Sequence, residues 1–347
     1  MARVAVVLFN LGGPDRPEAI RPFLFNLFND PAILRLPKPL RWCLAQLISR
    51  RRAPLAAEIY RHLGGRSPLL EGTRAQAAAL EAALADLGTV KVFIAMRYWR
   101  PMSEATAAEV AAWGADEVVL LPLYPQFSST TTASSLAAWR RAAAGPAAAT
   151  RAICCYPLLP GLVEAQAALI GPALRAAATA GVPRLLFSAH GLPEKVVAGG
   201  DPYQWQVERT AAAVAAAIAP RWPGLDWRVC YQSRVGPLRW IGPETVAEIE
   251  RAGRDGVPLV VVPIAFVSEH SETLVELDIE YRAVAERVGV PAYHRVPALG
   301  TAAPFIAGLA GLVREVLARP AGAVVSAAGH RVCPAPCGDC PMARGVA

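Results

Sequence analysis

The sequence predicts an α/β protein of two similar Rossmann-like halves, each a roughly four-stranded parallel sheet flanked by helices, with a cleft between them. Three observations lead there. Short runs rich in Val, Leu and Ile alternate with long alanine-rich stretches, the pattern of buried parallel strands joined by crossover helices. Two strand-and-turn stretches recur in the same order along the chain. Polar segments follow the predicted strands, where parallel sheets carry their ligand-binding loops.

In chain order, about eight strands are predicted, at residues 4–9, 91–96, 117–123, 151–155, 184–188, 227–231, 259–264 and 292–296. The recurrence pairs Val118-Val119-Leu120-Leu121-Pro122-Leu123 with Leu259-Val260-Val261-Val262-Pro263-Ile264. It also pairs Leu8-Phe9-Asn10-Leu11-Gly12-Gly13-Pro14 with Phe187-Ser188-Ala189-His190-Gly191-Leu192-Pro193. The two copies differ in chemistry: Leu11 stands where the other has His190, and Thr131 where the other has Glu272. One half therefore keeps an apolar wall and the other holds titratable groups. The expected organisation is a first half at 1–150 with a returning helix near 301–320, a second half at 151–300, and a cysteine-containing tail at 321–347. An extra lobe at 30–66 hangs from the first half.

Composition excludes several classes. Of 347 residues, 54% are hydrophobic and 18% charged, too apolar for a disordered chain. No charge-free apolar run approaches the ~20 residues of a spanning helix. Residues 4–9 read as a strand, not a signal peptide, so the expected location is the cytoplasm. The net charge of +7 is carried almost wholly by arginine, with Lys38, Lys91 and Lys195 the only lysines; arginine suits carboxylate and phosphate partners. No basic helix or aromatic-basic stripe supports nucleic-acid binding. Gly12-Gly13 lacks the third glycine and the ribose-binding acid of a dinucleotide site, so no nucleotide cofactor is expected.

The chemistry-bearing residues fall on the predicted loops. His190 ends a strand beside a glycine and a proline, and an imidazole there can take a proton or bind a divalent metal; a turn histidine bonded to a carbonyl is the plainer alternative. Glu272, Glu276 and Glu280 are spaced i, i+4, i+8 on a helix opening near His270, so they share a face. Like charges at that spacing repel. A solvated face is one reading, and a ladder that passes protons or a hydrated cation is the other. Arg97, Tyr98, Gln232, Ser233 and Trp240 add guanidinium, amide and aromatic groups suited to a flat ligand bearing carboxylates. Residues 33–60, with Leu34, Leu36, Leu40, Trp42 and Leu47 ahead of Arg50-Arg51-Arg52, form either an internal helix or an amphipathic lip able to rest on an anionic bilayer.

These motifs together resemble the ferrochelatase family, enzymes of haem biosynthesis that insert ferrous iron into protoporphyrin. The residues carrying the resemblance run through nearly the whole chain. They include Asn10-Leu11-Gly12-Gly13-Pro14, Gly64-Gly65-Arg66-Ser67-Pro68, Tyr124-Pro125-Gln126-Phe127-Ser128, Ser188-Ala189-His190-Gly191-Leu192-Pro193, Gly200-Asp201-Pro202-Tyr203 and Tyr231-Gln232-Ser233. The resemblance implies protoporphyrin IX and ferrous iron as substrates, with His190 and Glu272 as the metal and proton-transfer wall and His270, Glu276 and Glu280 behind them. It places Leu11 opposite His190, puts Arg52, Tyr60 and Ser67 on the lip against the porphyrin, and has Arg97, Tyr98 and Trp240 orient the ring. A chelatase for coproporphyrin or sirohydrochlorin, and a haem-binding carrier without insertion activity, are the alternatives.

The tail carries Cys333, Cys337 and Cys340, thiolates close enough to repel unless a metal holds them. The family resemblance implies a 2Fe-2S cluster there, completed by Cys154 or Cys155; successive strand residues face opposite ways, so one of the two serves. Zinc or a metal-free tail are the other readings. Cys43 and Cys230 read as apolar fillers.

Overall fold

In the computed structural model, which describes residues 2–143, 148–234, 236 and 238–343, the chain forms two α/β units. The first comprises Met1–Tyr124, Ser128–Cys154 and Leu312–Val324; the second comprises Pro125–Phe127, Cys155–Gly311 and Val325–Ala347. The helix Ala303–Leu317 is thus divided, its last residues grouping with the first unit.

One sheet has the order β2-β1-β3-β4-β9, from β1 (Val4–Asn10), β2 (Val90–Met96), β3 (Glu117–Pro122), β4 (Ala149–Cys155) and β9 (Val324–Ser326). The other has the order β6-β5-β7-β8, from β5 (Arg184–His190), β6 (Asp226–Gln232), β7 (Leu259–Pro263) and β8 (Tyr293–Arg295). Setting β9 aside, the two orders are the same topology, with β1 and β5 each between their two parallel partners. This is the internal duplication read from the strand ends. β9 went unpredicted because three residues flanked by glycine and alanine carry no periodic signal.

Continuous apolar runs make these strands central: every residue of β1 and of β7 is buried. Such strands are covered on both faces, as parallel sheets require. Register then does the functional placing. Asn10 lies opposite Met96, and His190 lies opposite Gln232, so the loops leaving neighbouring strands start side by side. Cys230 is buried as expected, but Cys43 is exposed; it sits on the outer side of the helix Lys38–Arg61, much of which is exposed.

In the second unit the helix Pro160–Ala177 crosses the start of Ala303–Leu317 at glycines. A Cβ on Gly161 would lie 2.1 Å from the Pro304 carbonyl oxygen. Gly161→Ala is expected to destabilise the protein by about 1–3 kcal/mol, the usual cost of overpacking, measured by denaturant unfolding.

Candidate active site

The second unit gathers its titratable residues at the ends of β5 and β6. His190 Nδ1 is 2.8 Å from Glu272 Oε2. Both remain reachable, with side chains 38% and 28% exposed. The His190 turn is tight: a Cβ on Gly191 would meet the Gln232 carbonyl oxygen at 3.0 Å and the Trp240 ring at 3.2 Å. Glycine is therefore what lets Trp240 lie against this turn.

Glu276 is a hub. Its carboxylate accepts hydrogen bonds from Gln232 Nε2 (3.0 Å), the Ser233 N–H (2.9 Å), the Ser233 hydroxyl and the Tyr281 hydroxyl (2.9 Å). Ser233 is held at φ 63°, a conformation disfavoured for a non-glycine residue, and its double donation to Glu276 offsets that cost. Gln232 is fully buried and is itself held by Ser188, whose hydroxyl donates to Gln232 Oε1 (2.8 Å).

Glu272 and Glu276 belong to a π-helix, Glu272–Glu280, where the i, i+4, i+8 spacing predicts an ordinary α-helix. Such wider turns are rare and concentrate at functional sites. Side-chain donors reward the carbonyls of this one: Tyr293 Oη donates to Leu277 O (2.6 Å), Arg282 Nε to Asp278 O (3.0 Å) and Gln232 Nε2 to Glu272 O (3.3 Å). The first two residues still face one donor, because Gln232 Nε2 reaches both the Glu272 carbonyl and the Glu276 carboxylate. Glu280 ends the row exposed to solvent.

His270 has a different task. Its Nδ1 accepts the N–H groups of Glu272 (3.2 Å) and Thr273 (3.3 Å), while its own N–H donates to Thr273 Oγ1 (3.0 Å). This reciprocal arrangement satisfies donors that a helix start leaves orphaned. It also requires a neutral ring with the proton on Nε2.

The ionisation equilibria follow these contacts. Burial favours a neutral His190, yet the charge of Glu272 and the hydrogen bond between them outweigh burial and raise its pKa above the ordinary 6.5. Glu272 gains in return: burial opposes its charge, but His190 brings its pKa down to about 2. Burial and the neighbouring Glu272 charge push Glu276 upward, and burial lowers His270. Adjacent groups are thus driven apart, an arrangement typical of proton-transfer sites.

In the first unit the expected ligand-contacting residues also meet. The Tyr98 N–H donates to the Leu11 carbonyl (2.9 Å), and Leu11, Tyr60 and Tyr98 share one apolar cluster. A Cβ on Gly13 would strike Ser67 at 2.5 Å, with Tyr60 Oη at 3.9 Å. Arg52 lies over the Phe28 ring at 5.7 Å. Arg97 and Tyr98 bond to Asp30, a buried acid that the sequence reading passed over except as the start of an insertion. In the lip helix, Leu40, Trp42, Leu47 and Leu55 are exposed. No helix among the described residues is long and apolar enough to cross a membrane. Val235 and Pro237, between Ser233 and Trp240, lie outside the described residues, as do 344–347 of the tail.

The tail docks on the Gly200-Asp201-Pro202-Tyr203 motif: the Asp339 N–H donates to the Gly200 carbonyl (3.1 Å), and a Cβ on Gly200 would meet the Gly338 nitrogen at 2.9 Å. Cys333 bonds to Cys340, receives Gln206 Nε2 at 3.1 Å and feels the charge of Cys155. Cys337 feels that of Cys340. The Cys333 hydrogen bond brings the Cys340 thiol down to about 6. Among the described residues no three His, Cys, Asp or Glu side chains are grouped as a metal site.

Two α/β units, each with a parallel sheet of this strand order, define a chelatase-type fold. SirB from Bacillus subtilis, solved with Fe3+, shares the fold at TM-score 0.53 and 14% identity, covering 91% of this chain and 96% of that one. The sirohydrochlorin chelatase SirB from Bacillus subtilis subspecies spizizenii, in complex with cobalt, aligns at TM-score 0.50 and 12% identity over 90% and 95%. At the level of sequence, the ferrochelatase family profile matches residues 3–317. Ferrochelatase of Caulobacter vibrioides is 56% identical over 347 residues, 99% of each chain. That of Phenylobacterium zucineum is 56% identical over 346 residues, again 99% of each, and that of Hyphomonas neptunium 53% over 347, covering 99% of this chain and 95% of its own. The chain belongs to the ferrochelatase family and is a metal chelatase, a lyase.

The capping role of His270 generates a test. His270→Ala is expected to cost about 1–2 kcal/mol and His270→Asn much less, since asparagine also caps. A histidine whose pKa is lowered on folding stabilises fully above its unfolded value of 6.5 and loses that contribution as pH falls toward the lowered value. The wild-type advantage over His270→Ala in thermal melts should therefore be largest above pH 6.5 and shrink as the pH falls.

Proposed function

We propose that the protein inserts ferrous iron into protoporphyrin IX, releasing two protons. The observation carrying this reading is the 2.8 Å His190–Glu272 pair, backed by a row of carboxylates that runs from Glu272 through Glu276 to exposed Glu280. Metallation must remove two weakly acidic pyrrole protons and strip the water shell of the ion. His190, made more basic by Glu272, accepts the two pyrrole protons one after the other at its accessible ring, passing the first along the carboxylate row to solvent before it takes the second. Glu272 and Glu276, carboxylates beside that acceptor, receive the hydrated cation and exchange its waters for oxygen ligands. Trp240 against the His190 turn supplies an aromatic plane for the macrocycle. Leu11, Tyr60, Ser67, Arg97 and, in the lip, Arg52 are the porphyrin-binding residues of the first unit in this proposal.

The lip suits a peripheral membrane contact, since exposed Leu40, Trp42, Leu47 and Leu55 accompany exposed Arg50 and Arg51 on one helix, the combination that binds anionic bilayers. A 2Fe-2S cluster is the second part of the proposal. What supports it is the donor set: Cys340 and Cys155 act on the Cys333 thiol, Cys340 acts on Cys337, and the Cys340 thiol is already inclined to ionise. Those four residues would hold it, and once bound it supplies a cross-link between tail and core. Of the two adjacent cysteines, Cys155 is favoured by its electrostatic contact with Cys333.

Anaerobic turnover with ferrous iron and protoporphyrin or coproporphyrin in parallel tests the reaction. Haem formation from protoporphyrin is expected, with His190→Ala lowering kcat by about 10²–10⁴-fold at unchanged porphyrin affinity. Near-normal turnover of that variant would sink the assignment, and preference for coproporphyrin would change the substrate. Because Glu272 raises the His190 pKa, the acid limb of kcat/KM should lie above pH 6.5 and move to lower pH in Glu272→Gln. Cys155→Ser should abolish the visible charge-transfer absorbance of the purified protein, whereas Cys154→Ser should keep it.

A further inference from the structure

We propose that Asp30 is a positioning and specificity-determining residue that sets the charge a tetrapyrrole meets on the first unit; this rests on the porphyrin reading above. Asp30 follows the helix Ile20–Phe28 and opens the lip. Its side chain is 2% exposed. Oδ2 accepts three hydrogen bonds, from Arg97 Nη2 (2.7 Å), Tyr98 Oη (2.8 Å) and Ser134 Oγ (2.5 Å). Oδ1 accepts the Ala32 N–H (2.9 Å), and the backbone carbonyl takes the N–H groups of Ile33 (3.0 Å) and Leu34 (2.9 Å). One buried carboxylate thus ties the first turn of the lip to the Arg97–Tyr98 pair.

The arrangement determines what each partner has left to offer. Tyr98 is 1% exposed and its hydroxyl is spent on Asp30, so it contributes packing beneath Leu11. Arg97 uses Nη2 on Asp30 and Nε on Ser134 Oγ (2.6 Å). Its Nη1 has no hydrogen-bond partner among the described residues, and the side chain keeps 13% of its surface open. Arg97 therefore presents a directed N–H group whose positive charge Asp30 has already cancelled. It orients a macrocycle without acting as a counter-ion, and gives no advantage to a ligand with additional carboxylates.

No neutral isostere reproduces this. An asparagine must turn its NH₂ either toward the three donors or toward the Ala32 N–H, donor against donor in both cases. Asp30→Asn leaves the Arg97 charge uncompensated.

The test compares protoporphyrin, with two carboxylates, and coproporphyrin, with four. Dissociation constants come from porphyrin fluorescence and kcat/KM from anaerobic turnover, for wild type, Asp30→Asn, Asp30→Ser, Arg97→Gln and the Asp30→Asn/Arg97→Gln double variant. Preference for coproporphyrin relative to protoporphyrin is expected to rise about two- to fivefold in the Asp30 variants, the effect of one partly screened charge. It should fall in Arg97→Gln and return near wild type in the double variant. A merely structural role would instead weaken both porphyrins alike and most severely in the double variant. That result, or an unchanged ratio in both Asp30 variants, overturns the proposal. A wild type that metallates neither porphyrin overturns the underlying reading and the proposal with it, and the wild-type arm alone reports it.

Discussion

Two carboxylates held side by side and partly out of water repel each other, and the second unit is organised around making that tolerable. Glu276 takes hydrogen bonds from Gln232, Ser233 and Tyr281, while Glu272 takes His190. The donors come from separate elements: the ends of β5 and β6, the loop after β6, and the helix beyond the carboxylates. Parallel register aligns His190 with Gln232, so the backbone itself brings a base and an amide to the same end of the sheet. Removing one donor would leave that charge less fully compensated, at a cost beyond the hydrogen bond alone.

The π-helix is a consequence of the same constraint. Its carbonyls at Leu277, Asp278 and Glu272 accept additional side-chain hydrogen bonds from Tyr293, Arg282 and Gln232. His270 then closes the helix start with a neutral imidazole. The two histidines of this wall are pushed in opposite directions by their surroundings: one faces a carboxylate and becomes more basic, the other faces backbone N–H groups and stays neutral. The first unit solves a parallel problem with one acid, Asp30, which absorbs the donors of Arg97, Tyr98 and Ser134.

Much of this was legible in the sequence, and unevenly. The strands of both sheets and their duplication could be read because buried parallel strands are continuous apolar runs, and because turn residues such as Gly191 and Pro193 repeat in order. His190 and the glutamates stood out as titratable groups at strand ends and at regular spacing. The helix type was not legible, because i+4 spacing suits both the α and the π form and the donors to its carbonyls, Gln232 and Tyr293, lie far along the chain. The capping contacts of His270 were not legible, because they join its ring to the backbone N–H groups of Glu272 and Thr273 and its own backbone N–H to the Thr273 hydroxyl. Asp30 was overlooked because its partners, Arg97, Tyr98 and Ser134, are distant in sequence; a lone acid ending a helix carries no spacing signal.

The central claim is that Glu272 makes His190 the proton acceptor while His270 is held neutral. Nitrogen-15 NMR titration of histidine-labelled protein, with the signals assigned through His190→Ala and His270→Ala, tests it most directly. The account predicts a His190 midpoint above 6.5 and a His270 ring that stays neutral, with its proton on Nε2, until well below that pH. A His190 ring that titrates at or below 6.5, or a His270 ring that titrates above it, would contradict the account.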